Sequence, residues 1–424
     1  MRVLMFGWEF PPHITGGLGT ACYGLTKGLV QQDVEVIFVV PKAYGDEDSK
    51  KINLINASDV SVDLVDSPFK EYWKSIKYLE VPSGIIPYVS PDAYALEELN
   101  WNVTDSKVFS KNYQFSGKYT SNLLEEVARY ALISSAIAAH YPHDVIHAHD
   151  WLTYPAGIAA AKVSGKPLVV HMHATEFDRS GENINQTVFD MERDGMLAAD
   201  RVVAVSNFTK SIVVDRYGIP EEKVVTVHNA VEPIDNEEKS KASRLLKEKI
   251  VTFLGRVTFQ KGPDYFVEAA RKILNKDPNI RFVMAGRGDM LNKMIRRVAE
   301  LGMGDKFHFT GFLKGKEVDK LFSITDVFVM PSVSEPFGIV PLEAIRSKVP
   351  VVISKQSGVS EILTHALKVD FWDIDALADS IYGLCHYDAL SEMFQKYGKA
   401  EVDNLKWENS AFKIKNVYSQ LIDN

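Results

Sequence analysis

The sequence predicts an α/β protein built from two doubly wound domains. Short apolar, β-branched runs alternate with helical patterns along most of the 424 residues, which is typical of parallel sheets covered by helices on both faces. A charged stretch between residues 232 and 249 has little strand signal and suits an exposed link. Single cores also stop growing well below this chain length, so two domains are expected.

The first domain is predicted at residues 1–240. Its strands are expected at 3–6, 34–40, 145–149, 168–173, 201–205 and 224–228. Apolar residues recur near helical spacing between the strands, for example over 122–139. Residues from about 42 to 118 are less regular and rich in Tyr, Asp, Ser and Asn, so we interpret them as an insertion.

The second domain is predicted at residues 241–405. Its strands are expected at 250–254, 280–285, 307–309, 326–330 and 349–353. Residues 406–424 have the pattern of an amphipathic helix that packs back across the link. Two such domains face one another across a cleft, and open α/β sheets bind ligands at the carboxyl ends of their strands. Functional residues are therefore expected directly after strands.

The composition excludes several classes of protein. Hydrophobic residues make up 46% and charged residues 25%, so disordered and collagenous chains are excluded. With 48 Lys and Arg against 56 Asp and Glu, the net charge is −8, and nucleic acid or an anionic membrane is not the expected partner. The two cysteines, Cys22 and Cys385, suggest neither a disulfide framework nor a thiolate zinc site. This cysteine usage fits a reducing cytoplasm. A cytoplasmic protein is therefore expected, since the first apolar run also breaks too early for a signal peptide and no apolar stretch reaches the roughly 18 residues of a membrane span.

A glycine-containing loop, Pro-Pro-His-Ile-Thr-Gly-Gly-Leu-Gly at 11–19, follows the first predicted strand. The glycines Gly16 and Gly17 allow backbone N–H groups to approach an anion closely. The helical pattern that begins near Ala21 adds positive potential at its N-terminus. The loop therefore predicts a phosphate site, and the alternative is a tight strand-to-helix turn without a ligand.

Two cations, Arg256 and Lys261, lie in a glycine-bounded loop after the first strand of the second domain. The Arg fork and the Lys point charge together can hold a diphosphate. The alternative is a pair of solvated surface cations.

Two glutamates, Glu335 and Glu343, flank a turn that leads into a helix after the strand ending near Met330. Glu335 is expected to face the cleft from the loop, with Glu343 about two turns into the helix. Such carboxylates accept hydrogen bonds from sugar hydroxyls. An exposed helix glutamate is the alternative for Glu343.

Histidines are concentrated around two neighbouring predicted strands. They are His140, His143, His147, His149, His171 and His173, and Asp150 follows His149 directly. The pairs 147/149 and 171/173 alternate along their strands, so each pair points to one side of the sheet. A metal site is one interpretation. The other is a set of hydrogen-bonding groups at strand ends, some of which line the cleft.

Taken together and in this order, the motifs resemble those of the retaining GT-B glycosyltransferases. The motifs are Thr-Gly-Gly-Leu at 15–18, His-Ala-His-Asp-Trp at 147–151, the Arg256 and Lys261 pair and the spacing of the two glutamates. Within that broad group of families 4 and 5, the sequence is similar to glycogen and starch synthases. The resemblance implies the GT-B fold, with two Rossmann-like domains, and retaining transfer of glucose from ADP-glucose or UDP-glucose to the non-reducing end of an α-1,4-glucan. It implies no metal and no pyridoxal phosphate.

The resemblance also assigns residues to roles. In the second domain, Glu335 matches a glutamate that contacts the donor hexose, and Glu343 matches one that holds the nucleotide ribose. Arg256 and Lys261 match the pair that stabilises the departing diphosphate. The other positions matching donor contacts are the backbone at Phe337 and Gly338, and Gly286 and Gly288 near the nucleotide.

In the first domain, the resemblance assigns three residues to the sugar side of the cleft. His173 matches a histidine that contacts the hexose, Asp150 an acidic residue near the reacting sugar and acceptor, and Asn229 an asparagine that faces the hexose. The amides of Gly16 and Gly17 add to the diphosphate site. Asp150, His173, Arg256, Lys261 and Glu335 are thus the predicted catalytic group.

Three departures from the family pattern widen the choice of donor and acceptor. Ile14 stands where bacterial glycogen synthases carry a lysine, Ala230 follows Asn229 in place of glycine, and the late Gly-Gly turn reads Ser357-Gly358. The alternatives are a sucrose-phosphate or trehalose-phosphate synthase-like enzyme, a mannosyltransferase, a nucleotide-sugar epimerase, a phosphorylase or a glucan-binding protein. The last would use aromatic residues of the insertion, including Tyr72, Trp73 and Trp101.

Overall fold

The computed structural model of the protein describes residues 1–12, 16–45, 47, 52–60, 115–116, 123–232 and 248–423. Most of the predicted insertion, with Tyr72, Trp73 and Trp101, lies outside these residues, as do most of the predicted link and Ile14. In the part of the chain that is described, no helix is both long enough and apolar enough to span a bilayer.

Seven parallel strands form the first sheet, in the order β3-β2-β1-β4-β5-β6-β7. They are β1 (Arg2–Phe6), β2 (Glu35–Val40), β3 (Asn53–Asn56), β4 (Val145–His149), β5 (Leu168–Met172), β6 (Arg201–Ala204) and β7 (Val224–Thr226). Successive residues of β2 enter different cores: Ile37 and Val39 pack in one cluster, and Val36 and Phe38 in another. The sheet is therefore buried on both faces, which explains its continuous apolar strands.

Six parallel strands form the second sheet, in the order β10-β9-β8-β11-β12-β13. They are β8 (Lys249–Leu254), β9 (Ile280–Ala285), β10 (Phe307–Gly311), β11 (Val327–Met330), β12 (Val351–Ser354) and β13 (Leu367–Val369). Along β11, Val327 and Val329 face one core while Phe328 and Met330 face the other. This sheet is also covered on both faces.

Helices connect the strands of both sheets. Those of the first half are α1 (Gly17–Val30), α2 (Leu123–His140), α3 (Tyr154–Ser164), α4 (Glu176–Ser180), α5 (Gln186–Ala198) and α6 (Asn207–Tyr217). Those of the second half are α7 (Pro263–Leu274), α8 (Leu291–Glu300), α9 (Lys316–Ile324), α10 (Ile339–Arg346), α11 (Ile374–His386), α12 (Asp388–Val402) and α13 (Trp407–Ile422).

Several details differ from the sequence-based expectations. The insertion contributes a short strand, β3, to the edge of the first sheet, and β13 adds an edge strand to the second sheet. Helix α1 begins at Gly17 and not near Ala21, so Gly16 is its N-cap. In β3 (Asn-Leu-Ile-Asn) and β13 (Leu-Lys-Val) the few apolar residues are mixed with polar ones, so neither has the continuous β-branched run that makes the equally short edge strand β7 (Val-Val-Thr) recognisable.

The C-terminal helix α13 packs on α1 of the first half. The Trp407 ring lies against Gly24, and the Trp407 carbonyl and Ala411 lie against Gly28. Further along α13, the Tyr418 hydroxyl is 2.5 Å from Nδ1 of the buried His147. The C-terminal residues thus complete the core of the N-terminal sheet.

Replacing Gly28 by alanine is expected to destabilise the protein. A Cβ at this position would lie 2.8 Å from the Trp407 backbone oxygen, so α1 and α13 would have to separate. Overpacking costs about 1–3 kcal/mol, of which the better helix propensity of alanine returns up to about 1 kcal/mol. Urea unfolding measures the effect. The matched control is Gly304→Ala, since a Cβ at Gly304 meets nothing within 4 Å; equal stability of both variants would contradict the close contact.

Candidate functional site

Each sheet has one point at which the strand order reverses direction. These points lie between β1 and β4 in the first sheet and between β8 and β11 in the second. Crevices at the carboxyl ends of such strand pairs are where open α/β sheets bind ligands. The four predicted motifs follow these four strands: residues 11–19 follow β1, Asp150 follows β4, 255–262 follow β8 and 331–338 follow β11. The candidate site is built from these loops.

Lys261 and Glu335 form an ion pair between the loops that follow β8 and β11. Lys261 Nζ contacts Glu335 Oε2, and Ser332 Oγ donates to the same oxygen at 3.1 Å. Gly262, at φ 61°, permits this approach, because a Cβ there would lie 2.2 Å from the Pro331 oxygen. The two side chains are only 20% and 8% exposed. Two motifs that the sequence presents separately therefore form one charged site.

Arg256 lies half-buried on a loop that packs tightly on the loop after β9. Gly255 N donates to Ala285 O at 3.0 Å, and Val257 N donates to Arg287 O at 2.9 Å. A Cβ at Gly286 would lie 1.8 Å from the Gly255 oxygen. Similarly, a Cβ at Gly288 would lie 2.2 Å from the Val257 oxygen. Both glycines thus hold the Arg256 loop in place, while their predicted contact with a nucleotide stays a prediction.

The loop that carries Glu335 ends in Gly338, the N-cap of α10, at φ 101°. Its backbone is held by the turn at 357–359: Gly358 N donates to Glu335 O at 2.9 Å, and Val359 N donates to Phe337 O at 2.7 Å. Gly338 leaves the amides at the start of α10 free of a side-chain cap. Such a helix start favours an anion, while binding of the diphosphate there stays a prediction.

Glu343 is the fifth residue of α10, so it lies little more than one turn into the helix and not two. Burial raises the pKa of its carboxyl to about 7; Arg346 lowers this pKa and Asp319 raises it. The carboxylate therefore changes charge near neutral pH. It is not a fully exposed helix glutamate, which was the alternative interpretation.

Glu343→Gln is expected to stabilise the protein at pH 8 but not at pH 4.5. A carboxyl whose pKa rises from 4.5 to about 7 on folding loses its favourable contribution as the pH increases through that interval. Glutamine stays neutral throughout, so the variant should have the higher Tm only at the higher pH. Glu300→Gln is the control, because Glu300 is 64% exposed on α8. A Tm difference that does not change with pH would show that Glu343 does not titrate in this range.

Four histidines stack at the carboxyl ends of β4 and β5. His147 and His171 are parallel within 2°, with ring centroids 5.3 Å apart, and His149 Nδ1 is 3.0 Å from His173 Nε2. This confirms that each pair points to one side of the sheet. Burial lowers the pKa of all four imidazoles, that of His173 to about 3, so they are neutral at physiological pH.

Within the described residues, two groups in this cluster have ligand atoms close enough to hold a metal ion. One is Cys22 with His149 and His173, and the other is His147 with His149 and His171; in each group the atoms lie within 4.8 Å of one another. The remaining predicted histidines lie elsewhere, with His140 exposed at the end of α2 and His143 before β4.

Asp150 lies directly beyond β4 with a left-handed backbone, φ 66°. Burial raises the pKa of its carboxyl to about 6, against the lowering effects of Arg179 and of hydrogen bonds from the His173 and Ala174 amides. Among the described residues, its Oδ1 has no hydrogen-bond partner. The structure therefore brings Asp150 and His173 together, with one carboxylate oxygen left for a ligand.

Residues that the sequence analysis did not identify connect the Asp150 region of the first domain with the Glu335 loop of the second. Asp178 on α4 accepts a hydrogen bond from Ser334, the neighbour of Glu335. Arg179 is almost buried between Glu176 and Glu192 and also interacts with Asp150. The Thr-x-x-Asp spacing at 175–178, directly after β5, forms a capping box and was the available signal in the sequence.

The remaining predicted donor contacts are the glycines Gly16 and Gly17 and the side chain of Asn229. A Cβ at Gly16 or Gly17 would meet nothing within 4 Å, so packing among the described residues does not require glycine there. Asn229 is 8% exposed in the segment after β7. Its neighbour His228 has its ring centroid 6.2 Å from that of Phe337, so this segment approaches the Glu335 loop.

Comparison with known proteins shows which proteins the chain is similar to. An uncharacterised glycosyltransferase of Methanocaldococcus jannaschii is 30% identical over 99% of this chain and 98% of its own length. A glycogen synthase of Mycobacterium tuberculosis is 22% identical over 86% of this chain and 80% of its own length. The structure of Anabaena HepE in complex with UDP and glucose has a TM-score of 0.70 at 16% identity, with 99% of this chain and all of that chain covered.

Family assignments follow the two halves of the chain. Residues 109–234 match the family described as Glycosyltransferase Family 4, and residues 235–401 match Glycosyl transferases group 1. The two parallel-sheet domains and the structural likeness to HepE are those of the GT-B fold. The chain therefore belongs to the glycosyltransferases, with a family 4 domain followed by a group 1 domain.

Proposed function

We propose that the protein is a retaining, metal-independent hexosyltransferase that moves glucose from a nucleoside diphosphate to an α-1,4-glucan. The observation that carries the proposal is the Lys261–Glu335 pair at the reversal point of the second sheet. Ser334, next to Glu335, bonds to Asp178, and the neighbouring Arg179 interacts with Asp150 of the first domain. Lys261 and Arg256 suit the diphosphate, and Glu335 suits a sugar hydroxyl. ADP-glucose and UDP-glucose are the proposed donors; HepE was solved with UDP and glucose.

The proposed mechanism places the acceptor hydroxyl on the face of the hexose from which the diphosphate leaves. The bond from the anomeric carbon to the diphosphate oxygen breaks while the acceptor oxygen bonds to that carbon. The acceptor proton passes to the departing phosphate oxygen, so no enzyme carboxylate forms a covalent intermediate. Arg256, Lys261, the Gly16 and Gly17 amides and the start of α10 stabilise the growing negative charge.

On the opposite side, Asp150 and His173 act on the sugar. An ionised Asp150 stabilises the positive charge that develops at the anomeric carbon. His173, whose pKa is lowered by burial to about 3, stays neutral and offers a hydrogen bond to a hexose hydroxyl. The M. tuberculosis glycogen synthase supports a glucan as the first acceptor to test.

The test measures release of nucleoside diphosphate from ADP-, UDP- and GDP-hexoses, with and without glycogen, in EDTA. Release that depends on glycogen, with an α-linked product by NMR, is the expected result. Release with a different acceptor would overturn the glucan assignment but leave the transferase. Activity that EDTA abolishes and Mg²⁺ restores would overturn metal independence.

A further inference from the structure

A cross-domain contact outside the proposed catalytic group holds the loop that carries Glu335. The carbonyl of Pro336, the residue after Glu335, faces the start of α6 in the N-terminal domain. Ser206 Oγ donates to this oxygen at 2.5 Å, and Thr209 Oγ1 donates to it at 3.2 Å. Ser206 and Thr209 are fully buried, so no water competes for the bonds.

Both residues belong to the start of α6. Ser206 is the N-cap, and its Oγ accepts a hydrogen bond from Thr209 N at 2.9 Å. Thr209 is on the first turn, so both hydroxyls have a position set by the helix start. Since the cap is rigid, the Pro336 oxygen is held against a fixed element of the other domain.

A second contact joins the start of α6 to Glu361 of the C-terminal domain. Glu361 Oε2 accepts from Asn207 N at 2.9 Å, and Glu361 Oε1 accepts from Phe208 N at 2.6 Å. His228 Nε2 lies 2.8 Å from Glu361 Oε2. Each domain therefore supplies groups that satisfy the first turn of α6. A carboxylate at this position also interacts favourably with the helix dipole.

The packing leaves no room for this contact to move independently of the Glu335 loop. A Cβ at Gly358 would lie 2.3 Å from the Pro336 oxygen and 2.4 Å from Ser206 Cβ. Gly358 N also donates to Glu335 O. A shift of α6 would thus be transmitted directly to the backbone on both sides of Pro336.

We infer that Ser206 and Thr209 are positioning residues for sugar transfer: by holding the Pro336 carbonyl across the domain boundary, they set the place of Glu335. The inference rests on the proposed donor role of Glu335. It explains how the N-terminal domain prepares a donor site that lies in the C-terminal domain. Neither hydroxyl contacts the substrates; both act through the loop.

The first test is hydrogen exchange of the backbone at 332–340 in the unliganded protein, which needs no substrate. Ser206→Ala with Thr209→Val removes both donors, and we expect roughly tenfold faster exchange of this segment. Thr209→Val alone is the milder variant if the double variant unfolds. Ser211→Ala is the matched control, because Ser211 lies on the same helix and its side chain bonds within it, to Asn207 O, among the residues that the structure describes. Exchange no faster than in Ser211→Ala would overturn the inference.

The second test is kinetic and separates positioning from general stability. We expect the double variant to lower kcat about 10- to 100-fold, as for a misplaced contact group. Thr209→Ser, which keeps the hydroxyl, should have a kcat much closer to that of the wild-type protein than Thr209→Val has. A Thr209→Ser variant as impaired as Thr209→Val would overturn the role of the hydroxyl. If the wild-type protein transfers no sugar from any donor, the proposed function fails, while the exchange experiment still decides whether the contact holds the loop.

Discussion

Arg256→Ala and Lys261→Ala are each expected to lower turnover on the order of 100-fold or more, as for loss of a group that stabilises charge in the transition state. In the proposed mechanism the diphosphate gains negative charge as it leaves, and the two cations, both on the loop after β8, stabilise that charge. Lys261→Ala has a second effect, because the Glu335 carboxylate, 8% exposed, would lose its cation and keep, among the described residues, the hydrogen bond from Ser332. Initial rates of diphosphate release at saturating donor measure both variants.

Lys272→Ala is the control for these variants. Lys272 lies on α7 of the same domain and pairs with Asp375, which is 79% exposed, so its loss changes net charge without touching the loops. The Asp-x-Asp string at 373–375 is accordingly a surface feature: Asp373 caps α11. Near-wild-type turnover of Arg256→Ala or Lys261→Ala would remove the proposed role of that cation.

Asp150→Asn is expected to lower kcat/KM on the order of 100-fold and to remove its dependence on acidic pH. Burial raises the pKa of Asp150 to about 6, so the carboxyl is neutral below this pH and ionised above it. If the ionised form stabilises the reacting sugar, the kcat/KM of the wild-type protein should rise with pH and level off above about 7. Asparagine tolerates the left-handed backbone at φ 66° and cannot ionise. The measurement is kcat/KM from pH 4.5 to 8.5.

Two other carboxyls, those of Glu343 and Glu192, also have raised pKa values and provide the comparison. Burial raises the pKa of Glu343 and of Glu192 to about 7. Glu343→Gln should therefore retain the rise of kcat/KM near pH 6 that Asp150→Asn lacks. A rise that persists in Asp150→Asn and disappears in Glu343→Gln would assign the pH dependence to the ribose side and contradict the role given to Asp150.

Most of the two sheets follows from local sequence. Parallel strands covered on both faces must be apolar throughout, and β4 and β5 are recognisable for this reason even though they carry histidines. The edge strands β3 and β13 escape recognition because they are short and their apolar residues are mixed with polar ones. Helix α1 begins at Gly17, before the expected start near Ala21, since glycine is a poor indicator of a helix start.

The candidate site, too, is only partly predictable from the sequence. The loops after strands and their charged residues are visible in the sequence, because their chemistry is carried by residues close together in the chain. The residues that they contact in the folded protein are not visible there, because these lie far away in the chain. Lys261 and Glu335 are 74 positions apart, and Ser206 and Pro336 are 130 apart.

By itself, the sequence determined two α/β domains and the loops that bear Asp150, Arg256, Lys261 and Glu335, since hydrophobic periodicity and turn residues are local properties. Only the tertiary structure decided that Lys261 pairs with Glu335 and that Asp178 meets Ser334. The order of strands in each sheet differs from their order in the chain, so the loops that become neighbours are those of β1 with β4 and of β8 with β11. Burial in these crevices then set the pKa values of Asp150 and Glu343, because desolvation depends on neighbours that no local pattern reveals.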